Sequence, residues 1–309
     1  MLPQQTSAAL VSGTLAAPGG ALDPMAHLRD LIQYYTETGA DYEAWSPNFN
    51  MHFGYFGRGI SPLDLESMLK RMSLEVLHRV TPQQGDCLLD AGCGLGAVAR
   101  DGAAAYPHCR IVGINIVPWA LQQAAQLTRN GRFDTAVRYV RGDFRVLPFR
   151  DAAFDGIYAI ESACHAPGVD KRELLTELHR VLKPGGRVVF ADGFLKTSSP
   201  MPMGLHQVYT AFCQGWALDT LAHLNEFLRR LEQLGFEAIR VEDVSWRILP
   251  SALFIPFAAI NLLSREGLFR SRALSLRRRK HLAAPFAVPL FSLFPKRFGY
   301  FMVTATKAY

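Results

Sequence analysis

Residues 89–96 read LDAGCGLG. The apolar run that leads into them predicts a strand ending at Asp90, and Gly92, Gly94 and Gly96 follow on alternate positions. Glycines at such a turn allow a tight backbone and let a ligand approach the main chain. In a doubly wound sheet the ligand binds outside the carboxyl ends of the strands, where this loop would lie. The stretch therefore predicts an α/β fold with a ligand site after its first core strand.

Short apolar runs alternate with helical stretches on the C-terminal side of this loop. Besides CLLDAG, strands are predicted at RIVGIN, VRYVRGD, FDGIYAI, RVVFAD, FEAIRVEDV and GYFMVTATK. Such alternation favours a parallel sheet covered on both faces by helices. We expect a doubly wound, mostly parallel, seven-stranded, Rossmann-like sheet.

Composition divides the chain into five segments. Residues 1–22 lack charged side chains and are predicted to be a flexible leader. We expect an N-terminal helical and aromatic substrate lid at 23–80, with a helix from Ser61-Pro62 to about Val80, then the ligand-binding core at 81–243. A hydrophobic and basic helical insertion at 244–298 precedes the last strand at 299–309.

Overall composition excludes several classes of protein. Of 309 residues, 49% are hydrophobic and 19% are charged, which is enough apolar material for a buried core and unlike a disordered protein. Five cysteines at irregular spacings do not form a secreted disulfide framework. No uncharged apolar run reaches the ~20 residues of a membrane-spanning helix. We therefore expect a cytoplasmic protein.

The positive charge is concentrated in one segment. Seven of the 33 basic residues, but only one acidic residue, lie between Arg265 and Lys280, and the rest of the chain is balanced. This distribution argues against a nucleic-acid-binding surface. Because apolar, proline-broken runs flank the segment, residues 265–280 predict peripheral contact with a membrane, with a solvated charged face as the alternative.

The residues around the glycine loop narrow the choice of ligand. The spacing Gly92-x-Gly94-x-x-Ala97 also fits a loose dinucleotide fingerprint. However, Asp90 directly before the glycines suits a cationic group better than a pyrophosphate. The second strand ends in Asn115, where NAD-binding proteins usually carry an acid. The missing Gly-Lys-Ser/Thr excludes a P-loop.

These motifs together resemble the class I S-adenosylmethionine-dependent methyltransferases. The resemblance implies S-adenosyl-L-methionine as cofactor, with the D-x-G-x-G-x-G loop holding its methionyl part. It also implies that Asn115, beside Ile116, accepts from the ribose hydroxyls, and that Asp143 meets the adenine amino group beside Phe144. Lys183-Pro184-Gly185-Gly186 before the fifth strand is usual for this family.

A longer stretch, GDFRVLPFRDAAFDGIYAIESACHAPG at 142–168, is similar to the sterol 24-C-methyltransferases. That family shares the acid-x-x-Cys-His-Ala-Pro sequence, here Glu161 to Pro167, and an Asn at the ribose position, and MHFGYFG at 51–57 is like its substrate-binding region. Related bacterial enzymes methylate linear prenyl diphosphates. One departure is Asp192-Gly193, where sterol enzymes carry an acidic-Trp pair.

The resemblance implies methyl transfer to an alkene carbon of a hydrophobic isoprenoid or sterol through a carbocation. Aromatic faces stabilise a cation, and a base must then remove a proton. We expect His165, Glu161, Tyr35 and His52 to be catalytic, with Glu161 also able to bind the cofactor's ammonium. No metal is expected, because a sulfonium is already an activated electrophile.

Two other functions remain open at this stage. One is O- or N-methylation of a small metabolite, and the other is a non-catalytic cofactor-binding module that serves a protein partner. A homo-oligomer is also compatible with the sequence.

Overall fold

The computed structural model describes residues 24–269 and 275–309, so the predicted leader 1–22 and Arg270 and Arg272 of the basic segment lie outside the described residues. The strands are β1 (Cys87–Ala91), β2 (Arg110–Asn115), β3 (Val137–Arg141), β4 (Phe154–Ile160), β5 (Leu182–Leu195), β6 (Ala222–His223), β7 (Phe236–Asp243) and β8 (Phe298–Lys307). The helices are α1 (Pro24–Thr38), α2 (Tyr42–Trp45), α3 (Leu65–Val80), α4 (Ala97–Ala105), α5 (Pro118–Asn130), α6 (Arg172–Val181), α7 (Met203–Gly215), α8 (Leu224–Gln233), α9 (Ser245–Ala252), α10 (Phe254–Phe269), α11 (Leu276–Ala283) and α12 (Ala287–Ser292).

The strands form one sheet in the order β3-β2-β1-β4-β5-β8-β7, and the two-residue β6 pairs with β5. All pairs from β3 to β5 are parallel, whereas β8 runs antiparallel between β5 and β7. The strand order reverses between β1 and β4, which is the topological switch point where open α/β sheets bind ligands. The predicted doubly wound fold is confirmed, with β6 as a short addition to the seven expected strands.

Helices cover both faces of the sheet because its central strands are apolar on both sides. One buried cluster places Leu175 of α6 and Phe227 of α8 against Phe190. The opposite cluster places Met72 of α3 and Ala99 of α4 against the other face. Helix α3 therefore covers one face of the core sheet, although the sequence analysis placed it in the lid at 23–80.

Two predicted element boundaries differ from the structure. Helix α3 begins at Leu65 and not at Ser61-Pro62, because the Asp64 carboxylate caps it by accepting the Ser67 N–H at 3.0 Å. Residues 183–186 lie inside β5 and not before it. The register shift between Phe154 and Gly156 accommodates this turn-like sequence within the strand.

The N-terminal helix α1 is held against α11 by polar contacts. Arg277 Nη2 lies 2.6 Å from Asp30 Oδ1, and Arg278 Nη2 lies 2.6 Å from the buried Asp41 that precedes α2. The hydroxyl of Tyr34 is 2.8 Å from Nδ1 of His281. Part of the basic segment predicted for a membrane is thus paired with acids of this protein.

The insertion between β7 and β8 consists of α9–α12. An 18-residue window, Ser245–Leu262, has a mean hydropathy of 1.2 and is long and apolar enough to cross a membrane by length and composition alone. In the structure a break at Leu253 divides this window between α9 and α10. Only 17% of the window is buried inside the protein.

Candidate active site

The glycine loop after β1 is a tight turn that packs closely against Ser162 and Met51. Gly92, Gly94 and Gly96 all have positive φ angles of 89°, 51° and 73°. A Cβ atom on Gly92 would collide with Ser162, and one on Gly94 would lie 2.9 Å from Met51 Sδ. Gly92 therefore has no room for a side chain, and at Gly94 the left-handed backbone favours glycine.

A cavity of about 90 Å³ lies beside this loop. Its wall contains almost every residue that the sequence assigned to the cofactor: Asp90, Gly92, Gly94, Asn115, Ile116, Asp143, Phe144 and Glu161. Gly96 is the exception, because it precedes α4 and packs directly against Tyr139, where a Cβ would clash. Gly96 therefore shapes the turn and does not form part of the cavity wall.

The polar groups of this cavity are suited to a cationic ligand. Asp90 is buried, and burial raises the pKa of its carboxyl to about 7. Among the described residues its Oδ2 has no hydrogen-bond partner. A buried carboxylate without a partner is costly, so an ammonium or sulfonium nearby would stabilise it. The site thus provides an acceptor where the sequence expected the methionyl group to bind.

Two other predicted contacts are already occupied by protein groups. The Oδ1 of Asn115 accepts the N–H of Val117 at 2.9 Å, which leaves the second lone pair of that oxygen for a ribose hydroxyl. The carboxylate of Asp143 is paired with Arg145 at 2.7 Å. An adenine amino group would share that carboxylate with the guanidinium.

A second, larger cavity of about 230 Å³ adjoins the first. It lies between the core and the helices of the lid and insertion, and most of its wall is aliphatic or aromatic. Five described residues form part of the wall of both cavities: Tyr35, Met51, His52, Glu161 and His165. All four predicted catalytic residues therefore lie at the junction of the two cavities.

Glu161 directly follows β4 and has a left-handed backbone, with φ of 48°. Such a conformation is uncommon for a residue other than glycine and is often found at functional sites. Its Oε1 accepts the N–H of Phe53 at 2.6 Å and the hydroxyl of Tyr300 at 2.8 Å. Burial raises the pKa of Glu161 to about 8, although the Phe53 N–H opposes this shift.

His165 and Tyr35 form a polar pair at the junction. A hydrogen bond of 2.8 Å joins the Tyr35 hydroxyl and His165 Nε2. The rings of Tyr34 and Tyr42 lie 4.8 and 6.4 Å from that of Tyr35. This part of the wall is therefore a group of aromatic faces, suited to a ligand with positive charge.

His52 is buried, and its ring has a defined tautomer. Nδ1 lies 2.8 Å from the carbonyl oxygen of Phe53, which can only accept, so Nδ1 carries the proton. Nε2 has no hydrogen-bond partner among the described residues. Burial lowers the pKa of His52 to about 4, so the ring is neutral near pH 7 and Nε2 presents a lone pair.

Two residues of the larger cavity were not singled out as site residues from the sequence. Asp192 near the end of β5 is buried, accepts the N–H groups of Cys164 and Gly193 at 2.9 and 2.8 Å, and has a pKa raised by burial to about 6. Its position near a strand's carboxyl end was an available signal. Tyr300 belongs to the antiparallel β8, and nothing in the sequence pattern indicates its contact with Glu161.

Within residues 24–269 and 275–309, no group of three or more His, Cys, Asp or Glu side chains is arranged to hold a metal ion. Cys164 is buried, and burial raises the pKa of its thiol well above the ordinary value. This agrees with a packing role for Cys164.

Comparison with known proteins agrees with this geometry. A family described as "Methyltransferase domain" matches residues 89–190. The chain is 37% identical over 180 residues to a sterol 24-C-methyltransferase from Eremothecium gossypii, covering 56% of this chain and 46% of the relative. It is 32% identical over 250 residues to the O-methyltransferase cnsE from Penicillium expansum, covering 80% and 87%.

The matched part spans about half the length of several relatives. For methyltransferase phqN from Penicillium fellutanum, 36% identity extends over 55% of this chain and 52% of phqN. Among solved structures, the cyclopropane synthase MmaA2 from Mycobacterium tuberculosis has a TM-score of 0.75 at 17% identity, covering 91% of this chain and 98% of that one. At this identity the structural likeness shows the fold alone.

The glycine loop, the switch-point cavity and these relatives define one class. The chain belongs to the class I S-adenosylmethionine-dependent methyltransferases. Its methyltransferase domain is an enzyme domain with S-adenosyl-L-methionine as cofactor. Asp90 Oδ2, which has no hydrogen-bond partner in the described part of the chain, and Gly92, which has no room for a Cβ, fit this cofactor.

Proposed function

We propose that the enzyme transfers the methyl group to an alkene carbon of a neutral, hydrophobic isoprenoid or sterol. One observation carries this proposal: the four candidate catalytic residues form part of the wall of both the cofactor cavity and an apolar cavity. The bound cofactor supplies a methyl group on a positively charged sulfur. An acceptor in the larger cavity would meet that methyl at the junction.

The charges of the larger cavity favour a neutral acceptor over a prenyl diphosphate. Its described wall contains three carboxyl groups, Asp41, Glu161 and Asp192, and no Lys or Arg. Of the three, Asp41 is paired with Arg278. A diphosphate in this wall would face the carboxyl groups of Glu161 and Asp192 with no Lys or Arg in the wall to bind it, which is unfavourable in a poorly solvated site.

The same wall would stabilise a carbocation. Attack of an alkene on the methyl carbon would form the new carbon–carbon bond as the carbon–sulfur bond breaks, with the sulfur leaving as a neutral thioether and a cation remaining on the neighbouring carbon. The faces of Tyr35 and Tyr42 are available for cation–π contact, worth about 0.5–2 kcal/mol each. Asp192 adds negative charge when ionised. The lid and insertion exclude the water that would otherwise add to the cation.

His52 is suited to the final step. Loss of a proton from the cation yields a neutral alkene, and the proton needs an acceptor with a lone pair. Nε2 of His52 is the acceptor at the junction whose tautomer is fixed and which bonds to no other described group. A carbocation is a strong acid, so a base with a pKa of about 4 is sufficient. His165, joined to Tyr35, would orient the aromatic face.

The test is product analysis with isotope-labelled cofactor methyl. We expect label in a new carbon–methyl group of a neutral sterol or linear isoprenoid alcohol or hydrocarbon, and little transfer to the corresponding diphosphate. His52→Gln should lower kcat at least tenfold while leaving cofactor affinity within about twofold. Faster methylation of the diphosphate would contradict the neutral-acceptor assignment.

O-methylation is the second candidate, because three O-methyltransferases are 30–32% identical to this chain over at least two thirds of it. His165 with Tyr35 would then be the base that takes a hydroxyl proton. Label found on oxygen, with His165→Ala removing activity and His52→Gln retaining it, would establish this reaction in place of the first.

The cytoplasmic location and a homo-oligomer stay predictions, to be tested by fluorescence microscopy and sedimentation velocity.

A further inference from the structure

Helix α10 has two apolar faces with different neighbours. Ile255, Ala259 and Leu262 on one face form part of the wall of the larger cavity. Leu253, just before the helix, and Phe257 and Ile260 follow each other at helical spacing and do not contribute to that wall. Their side chains are 48%, 70% and 48% exposed. We call these three residues the apolar outer face.

Two elements that contact α10 also carry exposed apolar side chains. The short 3₁₀ turn Ala284–Phe286 packs against α10, and its Phe286 is 49% exposed. Helix α11 also contacts α10 and carries Leu276, which is 70% exposed. Exposed large apolar residues on elements that contact each other mark an interaction surface more often than isolated ones do.

The charge next to this face is positive. On α11, Arg277 and Arg278 are engaged by α1 and by Asp41, and Lys280 Nζ lies 3.0 Å from Gln214. Arg279, one helical turn from Leu276, is exposed. The sequence from Arg265 to Lys280 contains one acidic residue against seven basic ones. Apolar side chains beside excess positive charge match an anionic lipid surface.

We propose that α10 docks this enzyme onto an anionic bilayer through Leu253, Phe257 and Ile260. The surface therefore differs from the basic segment that the sequence suggested, since the helix supplies apolar contacts and the cations supply attraction. Because the inner face of the same helix forms part of the larger cavity, docking places that cavity next to the lipid phase. This deepens the proposed function, since a neutral isoprenoid dissolves in that phase.

Flotation with vesicles tests the proposal. Vesicles of phosphatidylcholine alone and of phosphatidylcholine with phosphatidylglycerol are centrifuged through a sucrose gradient with the full-length protein. We expect the protein to float with the anionic vesicles, and the variant Phe257→Ser/Ile260→Ser to lose at least fivefold in bound fraction. Arg279→Glu should reduce binding to anionic vesicles only. Leu63→Ser is the matched control, because Leu63 is 82% exposed elsewhere and should leave flotation unchanged.

Other outcomes would overturn the proposal. If the wild-type protein does not float with anionic vesicles, or if Leu63→Ser weakens flotation as much as the double variant, α10 is not the docking surface. A dimer in sedimentation velocity that Phe257→Ser dissociates, without flotation, would assign the face to a second copy. Methylation of a detergent-dispersed acceptor should be unchanged in the double variant, so this test is independent of the proposed reaction.

Discussion

Asp90 is the residue that we expect to bind the positive charge of the cofactor. Its carboxyl is buried with a pKa of about 7, and its Oδ2 accepts no hydrogen bond from the described residues. A protonated carboxyl attracts a cation weakly, whereas the carboxylate attracts it strongly. Binding of a cationic cofactor should therefore release a proton when the pH is below 7.

The pH dependence of cofactor binding follows from this. Between pH 5 and pH 7 we expect the Kd for S-adenosylmethionine to fall by up to about tenfold per pH unit through Asp90, and a further fall toward pH 8 would come from Glu161, whose pKa is about 8. Asp90→Asn should bind weakly at every pH. Titration calorimetry in two buffers of different ionisation enthalpy measures both the affinity and the proton release. A flat profile for the wild-type enzyme would contradict this role of Asp90.

Lys171 determines the conformation of the element that carries His165. The lysine is fully buried with a left-handed backbone, φ of 52°. Its Nζ donates to the carbonyl oxygens of Cys164, Ala166 and Thr220 at 3.2, 2.6 and 2.7 Å. It therefore joins the loop after β4 to the connection before β6.

Removal of this ammonium should loosen the loop. We expect Lys171→Met to lower kcat more than it raises KM, and to cost about 1–3 kcal/mol of unfolding free energy, because buried carbonyls lose their donor. Hydrogen exchange should rise in residues 162–168. Arg172→Met, at the adjacent and exposed position, is the control. Unchanged exchange in that loop would exclude a positioning role for Lys171.

The turn that directly follows the lid helix α1 is held to α11 by the pair between Arg278 and Asp41. Asp41 is buried, so loss of its partner should cost about 1–3 kcal/mol. Because Leu28, Leu31 and Tyr35 of α1 form part of the cofactor cavity wall, we expect Arg278→Ala to weaken cofactor affinity and to increase hydrogen exchange in α1. Arg279 on the same helix is exposed, so Arg279→Ala should change neither the cofactor affinity nor the hydrogen exchange in α1. Equal effects of the two variants would argue against a lid held by this pair.

The strands of the core could be predicted from the sequence more completely than the side-chain contacts within the site. Short apolar runs that alternate with helical stretches mark buried strands, so the strands and the glycine loop after the first of them were predicted. The candidate cofactor residues were implied by the resemblance to the methyltransferase motifs, and the structure places them at the carboxyl ends of adjacent strands. The contact of Tyr300 with Glu161 and the pairing of α11 with α1 join residues more than a hundred positions apart, and local sequence carries no signal for them.

At the scale of the whole molecule, three buried carboxyl groups give the ligand-free protein an unusual pH dependence. The pKa values of Glu161, Asp90 and Asp192 rise to about 8, 7 and 6. A raised carboxyl pKa means that the folded state holds a proton that the unfolded state has released. Stability from these groups is therefore lost as the pH rises toward 8. Buried His52 and His281, with pKa values lowered to about 4, act in the opposite direction below pH 6.5.

The effect of the carboxyl groups should be visible where the histidines no longer titrate. From pH 6.5 to pH 8 we expect the free energy of unfolding of the ligand-free protein to fall by about 1–3 kcal/mol. Glu161→Gln should flatten most of this slope, and saturating cofactor should remove the part due to Asp90. Urea denaturation at several pH values measures it. Stability that rises across this range would contradict burial of these groups.

Helix α1 contributes to the wall of both cavities, with Tyr35 shared between them. Displacement of this one helix would expose the spent cofactor and the methylated acceptor together. An enzyme that opens in this way cannot renew its methyl donor while retaining its acceptor. Even with excess cofactor, the first product to accumulate should carry one methyl group, and a second methylation should require rebinding from solution in competition with fresh acceptor.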